Sequence, residues 1–312
     1  MIVQFFGLFI ATQVFSGATY SQVQSVQVIS SASGAILLVA YIIVLTAVML
    51  LLLKIYKGDK FFIILEGAVI FISSFFVFYI LFAIVNSSVV FTIFGNQITT
   101  NLIAGVVLAL AIVVLKNKWQ KLRNAVAMLA SVGVGVVLGL SFGFFAAIIF
   151  MAILAVYDFI AVFVTKHMVS MARAMSGRNL AFLIGVNEVE AVPKSKLSRG
   201  DVAEYEKDRK AVEKVNPIFS KLYKESLVPI AARIELGTGD MVAPLMVAVA
   251  AYKVSLNFML SFFIIAGSLL GLVITTSILR KYKRALPAIP PLFFGIVVAV
   301  SAYAVLFNFV KL

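Results

Sequence analysis

Four acidic residues of this 312-residue chain lie in or beside long apolar runs: Glu66, Asp158, Glu235 and Asp240. An ionised carboxylate inside a bilayer costs roughly 2.5 to 3.5 kcal/mol even on the lenient insertion scale, so such residues are functional candidates by default. Asp158 lies eight residues before Lys166, and Asp240 lies seven residues after Arg233, where successive apolar runs end and begin. At about 1.5 Å per residue, both aspartates lie about 10 to 12 Å below one membrane surface.

Two carboxyl groups at equal depth on neighbouring helices are equipped for peptide hydrolysis with water as the nucleophile. Repulsion and poor hydration favour a state in which the pair shares one proton. The ionised member takes a proton from water, the protonated member polarises the peptide carbonyl, and the roles then exchange, which predicts a bell-shaped dependence of rate on pH. No metal, cofactor or covalent intermediate is needed. A chain without cysteine and with one histidine also excludes paired-histidine metalloproteases and thiolate sites.

The residues around the two aspartates suit this chemistry. Gly237, Thr238 and Gly239 precede Asp240, and glycines without Cβ let another backbone approach closely and let a helix start unwind. Tyr157, beside Asp158, offers a hydroxyl that could bind the pair or a substrate carbonyl. An isolated Gly-x-Gly-Asp is a weak signal because small residues are common where membrane helices pack. The combination with Tyr-Asp at equal depth is specific.

The composition predicts the elements that must position these residues. The chain is 63% apolar and 12% charged, with a mean hydropathy of +1.12, against roughly 45 to 50% and 25% in soluble domains. We therefore predict an all-α integral membrane protein without a large soluble domain, in which each crossing takes about 20 residues. The nine apolar runs are residues 2–15, 35–53, 61–85, 98–115, 125–142, 143–164, 236–252, 256–279 and 286–310.

The net charge of +13 is explained by topology and does not require a nucleic-acid partner. Basic residues cluster at 54–60, 116–123, 166–233 and 280–284, whereas the alternate connections are uncharged apart from Lys253. The positive-inside rule then places the N-terminus in the cytoplasm and the C-terminus outside. We predict helices one to six in residues 1–165, a cytoplasmic hydrophilic loop at 166–233, and helices seven to nine in 234–312.

The hydrophilic loop has two possible roles, a solvated linker or a gate that recognises substrate. Its mixed charges favour the linker. Apolar residues at helical spacing predict a short amphipathic helix at 201–214, and the apolar run at 179–186 could form a strand. That strand, or the segment before Gly237, could pair with an unwound substrate by strand addition.

The motifs together resemble the presenilin and signal peptide peptidase family of intramembrane aspartyl proteases. They are Tyr157-Asp158 in the sixth run, Gly237-Thr238-Gly239-Asp240 in the seventh, and Pro287-Ala288-Ile289-Pro290 opening the ninth. The resemblance covers the whole chain in span number and motif order, and residues 157–171 are most similar to the archaeal presenilin homologues. Signal peptide peptidases have the opposite orientation, so the charge pattern favours the presenilin arrangement.

The resemblance implies that Asp158 and Asp240 are catalytic and that Pro287, Ala288 and Ile289 shape the site and help to bind substrate. The family motif is Pro-Ala-Leu, so Ile289 is a departure, for which we expect retained function and altered substrate fit. It further implies transmembrane-segment substrates, a lipid bilayer as the environment, and the cell membrane of a prokaryote, specifically an archaeon. Oligomeric state and accessory subunits stay open.

Several residues have plainer interpretations. Glu66 is predicted to pair with a lysine such as Lys60 at the cytoplasmic rim, and Glu235 to form an interfacial ion pair. The prolines at 287, 290 and 291 predict either an irregular helix start with exposed carbonyls or an ordinary proline-started helix. The spacing of Gly135, Gly139 and Gly143 predicts close helix packing.

One alternative function uses the same acid pair, a proton- or cation-coupled transporter or leak channel. Transporters usually contain internal repeats, and this sequence shows none. Acids near one surface, and not at the bilayer midplane, also favour proteolysis.

Overall fold

A computed structural model describes residues 1–16, 31–55, 60–85, 90–93, 96–119, 122–165, 183–193, 227–282 and 286–307. Nine helices form within these residues, and each coincides with one predicted apolar run. They are α1 (Ile2–Ser16), α2 (Ala32–Ile55), α3 (Lys60–Val85), α4 (Thr100–Lys118), α5 (Arg123–Ser141), α6 (Phe144–Phe159), α7 (Gly239–Ser255), α8 (Phe258–Tyr282) and α9 (Ile289–Phe307). A π-helical stretch at Ile160–Val164 continues α6.

Seven of these helices are long and apolar enough to cross a membrane: α2, α3, α4, α5, α6 with its π-helical continuation, α8 and α9. Helix α1 has 15 residues and α7 has 17, fewer than the about 20 that a perpendicular crossing takes. The helical, multi-pass membrane architecture predicted from the composition is therefore confirmed, while the number nine stays a prediction for the spans.

Two small sheets accompany the helices. Strand β1 (Val90–Ile93) pairs antiparallel with β2 (Asn96–Thr99), so that Val90 lies opposite Thr99. Strand β3 (Leu183–Pro193) pairs with β4 (Leu227–Gly237). The strand predicted at 179–186 thus overlaps β3 at its C-terminal end, and residues 179–182 and the helix predicted at 201–214 lie outside the described residues.

The chain divides into two compact units. One contains residues 1–183 and 237–312 and includes all nine helices named above. The other contains residues 184–236, and its described part is the β3–β4 sheet. Both aspartates lie in the helical unit.

Helix α7 lies at the centre of the helical unit, in contact with α1, α5, α6, α8 and α9. Every residue from Ala243 to Ala251 is buried. A Cβ on Gly135 would lie 2.7 Å from Leu245 Cδ2, and one on Gly139 would lie 2.8 Å from the Met246 carbonyl oxygen. These approaches confirm close packing of α5 on α7 through Gly135 and Gly139. The third residue of that spacing, Gly143, instead precedes α6.

Lys253, the exception in the charge pattern, has a structural partner. Its side chain is 8% exposed, and its Nζ donates a hydrogen bond of 2.5 Å to the carbonyl oxygen of Leu140. Leu140 lies in the last turn of α5, where helix carbonyls lack partners within the helix. Lys253 therefore caps α5 from α7.

Candidate active site

Asp158 and Asp240 come from two helices in direct contact, α6 and α7. Asp158 is 4% exposed and lies one residue before the end of α6. Asp240 is half-buried in the first turn of α7. Their carboxyl groups are close enough for their charges to interact. The structure thus brings together the two acids that the sequence placed at equal depth.

The start of α9 binds Asp158 through its backbone. The N–H of Ile289 donates to Asp158 Oδ2 at 3.1 Å, and the N–H of Ala288 donates to the same carboxyl group. Helix α9 begins at Ile289 and continues through Pro290 and Pro291, which the first turn tolerates because its N–H groups have no partner within the helix. Pro290 and Pro291 thus lie in the first turn of a regular helix, whereas Pro287 precedes the helix.

The glycines before Asp240 differ in their surroundings. The backbone N–H of Gly237 donates to the Asp240 carboxyl group. A Cβ on Gly237 would lie 3.3 Å from Asp240 Oδ2, whereas one on Gly239 would have no atom within 4 Å. A side chain at 237 would crowd the acid, while Gly239 exposes backbone to open space. Thr238, between them, is the half-buried residue that precedes α7.

A cavity of about 260 Å³ adjoins Asp158. Helices α2, α5, α6, α7 and α9 supply its walls, and Tyr157, Asp158, Gly239 and Ile289 all line it. Apart from Tyr157, Asp158 and Thr46, the lining side chains are apolar. Such a cavity can hold apolar side chains of an unwound peptide beside the acid while limiting the access of water. Pro287, the first residue of the ninth-helix motif, is buried.

Comparison with known families decides the identity. A sequence model described as signal-peptide peptidase, presenilin aspartyl protease matches residues 1–309. The chain belongs to this family. It is therefore an intramembrane aspartyl protease, a hydrolase, and the transporter alternative has no support. A search of curated protein sequences finds no significant match.

Two solved structures of a presenilin family intramembrane aspartate protease share the fold of this protease. The structure in space group C222 is 18% identical, with a TM-score of 0.58, and the match covers 98% of this chain and all of that one. The structure in space group P2 is 19% identical, with a TM-score of 0.59, and the match covers 98% of this chain and 94% of that one. The helical arrangement is thus of the presenilin type.

The protease contains another buried acid, Glu66, whose side chain forms an ion pair with Lys116. A lysine partner was predicted, but Lys60 was the wrong residue, because α3 packs against α4 and Lys116 lies in the last turn of α4. Glu66 also lines a second cavity of about 260 Å³, together with Thr238 and Gly239. Gly239 and Val242 line both cavities.

Three further points concern possible metal ligands, Glu235 and the contact between Asp158 and α9. Among the described residues, no group of three or more His, Cys, Asp or Glu side chains could hold a metal ion. The side chain of Glu235 lies outside the described part of the protease. The contact between Asp158 and the amides of Ala288 and Ile289 was not predicted from the sequence, and its only signal there was the resemblance of the ninth-run motif.

Proposed function

We propose that Asp158 and Asp240 are the catalytic pair of this protease and that they hydrolyse peptide bonds within transmembrane segments. The observation that carries this proposal is the meeting of two acids from contacting helices beside a mostly apolar cavity. Among the described side chains, no lysine or arginine forms an ion pair with Asp158 or Asp240, whereas Glu66 is paired with Lys116. The proposal therefore assigns proton exchange to the two aspartates and not to Glu66.

The proposed reaction uses the pair with one shared proton. The ionised carboxylate takes a proton from water as the water oxygen attacks the peptide carbonyl carbon, and the protonated carboxyl gives its proton to the carbonyl oxygen. In the resulting gem-diol, the first aspartate now holds a proton and the second is ionised. The first then protonates the peptide nitrogen, the second takes a proton from one hydroxyl, and the C–N bond breaks. The products are a carboxyl group and an amine, and the pair returns to its starting state.

We assign substrate positioning to the residues around the pair. Tyr157 and Ile289 line the cavity. Gly237 and Thr238 precede α7, Gly239 begins it, and Pro287 and Ala288 lead into α9. For the hydrophilic loop, we propose that β3 or β4 binds an unwound substrate by strand addition, through backbone hydrogen bonds.

The proposed topology has nine spans, with the N-terminus in the cytoplasm, the C-terminus outside, and the protein in a prokaryotic cell membrane. The support is the alternation of basic and uncharged connections. The chain has no cysteine, so single cysteines give a clean test with an impermeant thiol reagent. We expect Ser31→Cys to be labelled from outside and Lys118→Cys only from the cytoplasmic side. Labelling of both cysteines from the same side would contradict the proposed topology, in which an odd number of helices crosses the membrane between them.

The catalytic assignment is tested by reconstitution with a labelled single-span substrate. We expect Asp158→Ala and Asp240→Ala each to lower kcat/KM by about 10²- to 10⁴-fold, because each removes a proton-transfer group. The double variant should lose little more, since the two residues act as a unit. Normal cleavage by either single variant, with the protein shown to be folded by thermal unfolding in detergent, would overturn the assignment.

A further inference from the structure

The two aspartates differ in the number of backbone donors that they receive. Asp158 accepts hydrogen bonds from the N–H groups of Ala288 and Ile289, the latter at 3.1 Å. Asp240 accepts one, from Gly237. Hydrogen bonds to an ionised acceptor are about twice as strong as those between neutral groups. The asymmetry therefore bears on which acid holds the negative charge.

The donors to Asp158 come from a helix start. The first N–H groups of a helix have no partner within the helix and carry the positive end of its dipole, so they stabilise a negative charge placed against them. Asp158 needs such stabilisation, because it is 4% exposed and an ionised carboxylate is costly where water cannot hydrate it. In the described structure, the start of α9 is the group that supplies it.

We propose that the amides of Ala288 and Ile289 form an anion cradle that keeps Asp158 ionised in the resting protease. Asp158 is then the general base that takes the proton from water, and Asp240 carries the shared proton and donates it to the peptide carbonyl oxygen. This inference rests on the proposed catalytic pair and assigns the order of its steps. Because the cradle uses the backbone N–H of Ile289 and not its side chain, we expect isoleucine in place of leucine to leave the cradle intact.

Among the residues that the structure describes, few other titratable groups face Asp158. Asp240 faces it from α7, and Tyr157 precedes it on α6. The cavity-lining residues of α2, Ile42 and Thr46, carry no charge, and neither do Leu138 of α5 and Ile289 of α9. Changes in the pH dependence of cleavage can therefore be assigned to the pair and its backbone donors.

The rate of cleavage should fall at low pH, where both aspartates are protonated, and at high pH, where both are ionised. The positions of this acid limb and this alkaline limb distinguish whether Asp158 or Asp240 is the ionised member of the active pair. If Asp158 is ionised in the active, singly charged pair, the cradle stabilises both the singly and the doubly charged states. Loss of a donor then moves the acid limb to higher pH and leaves the alkaline limb in place. If Asp240 is the ionised member, the cradle stabilises only the doubly charged state, so loss of a donor moves the alkaline limb instead.

The test compares Ile289→Pro with Ile289→Ala in proteoliposomes that contain a labelled single-span substrate. Both variants lose the isoleucine side chain, but only proline lacks the N–H, and proline is tolerated at the first position of a helix. We expect Ile289→Ala to keep the acid and alkaline limbs at the same pH as in the wild type, even where altered substrate fit changes the rate. We expect Ile289→Pro to move the acid limb up by about one pH unit, as the loss of one hydrogen bond to a charged group predicts.

A second variant covers the case in which Ile289→Pro fails to fold. The ester analogue of Ile289, in which the corresponding α-hydroxy acid replaces N–H by oxygen, removes the donor without restricting the backbone. An acid limb unchanged in the ester analogue, or a shift of the alkaline limb alone, would overturn the cradle while leaving the catalytic pair intact. Failure of the pair itself would show separately, as normal cleavage by Asp158→Ala or Asp240→Ala.

Discussion

Two carboxyl groups buried in the helical unit, those of Glu66 and Asp158, have opposite kinds of partner. Glu66 is 1% exposed and forms an ion pair with Lys116. Asp158 is 4% exposed and has two backbone N–H donors and a second carboxyl group, Asp240, as neighbours. Both acids line cavities that adjoin Gly239. Burial alone therefore does not separate an acid that forms an ion pair between helices from one that is proposed to be catalytic.

The partner decides what each acid can do. Glu66 is paired with a basic side chain from the neighbouring helix, and removing one partner of such a buried pair leaves the other charge uncompensated. Neutral backbone donors stabilise the charge of Asp158 without fixing it, and the nearby Asp240 makes a second negative charge unfavourable. Asp158 can therefore gain and lose a proton during a reaction, whereas Glu66 joins α3 to α4.

The largest loss of stability is expected when one partner of the ion pair between Glu66 and Lys116 is removed. Glu66→Leu leaves the ammonium group of Lys116 buried without its carboxylate, which should lower the free energy of unfolding by about 3 to 5 kcal/mol. Reversible unfolding in mixed detergent micelles measures this change. Residual cleavage per folded molecule should stay within the range of the wild type, because Glu66 takes no part in the proposed reaction.

The matched control removes both charges. Glu66→Leu combined with Lys116→Met replaces the ion pair by apolar side chains of similar size, and such replacements are often neutral or stabilising. We expect the double variant to recover most of the stability lost by the single one. A double variant as unstable as Glu66→Leu would show that the loss came from packing and not from an unpaired charge.

Local patterns in the sequence were sufficient for much of this structure. The apolar runs predicted the nine helices of the described residues, and the spacing of Asp158 and Asp240 from the flanking charges predicted equal depth for the two acids. The contact between their helices comes from the structure. The apolar length of a segment and the charges that flank it are local properties, so they can be read from a single sequence without knowledge of the packing. The catalytic role of the pair stays a prediction.

Contacts between distant segments could not be predicted in the same way. The partner of Glu66 is Lys116 and not the nearby Lys60, because the packing of α3 on α4 decides which lysine reaches it. Ile289 reaches Asp158 across a sequence separation of 131 residues. Lys253 departed from the charge pattern because it caps α5, a contact that requires α5 and α7 to be side by side.

The smallest effect on stability is expected where Asp158, the proposed catalytic acid, loses only its charge. In Asp158→Asn, the side-chain carbonyl oxygen can still accept from the Ile289 N–H, and the repulsion with Asp240 disappears, so the free energy of unfolding should stay within about 1 kcal/mol of the wild type. Asp158→Ala removes the acceptor of the Ile289 N–H and should cost about 1 to 3 kcal/mol. The same micelle unfolding measurement compares both variants with Glu66→Leu. If Asp158→Asn destabilises the protease as strongly as Glu66→Leu, the charge of Asp158 supports the fold as that of Glu66 does, and the two acids do not differ in kind.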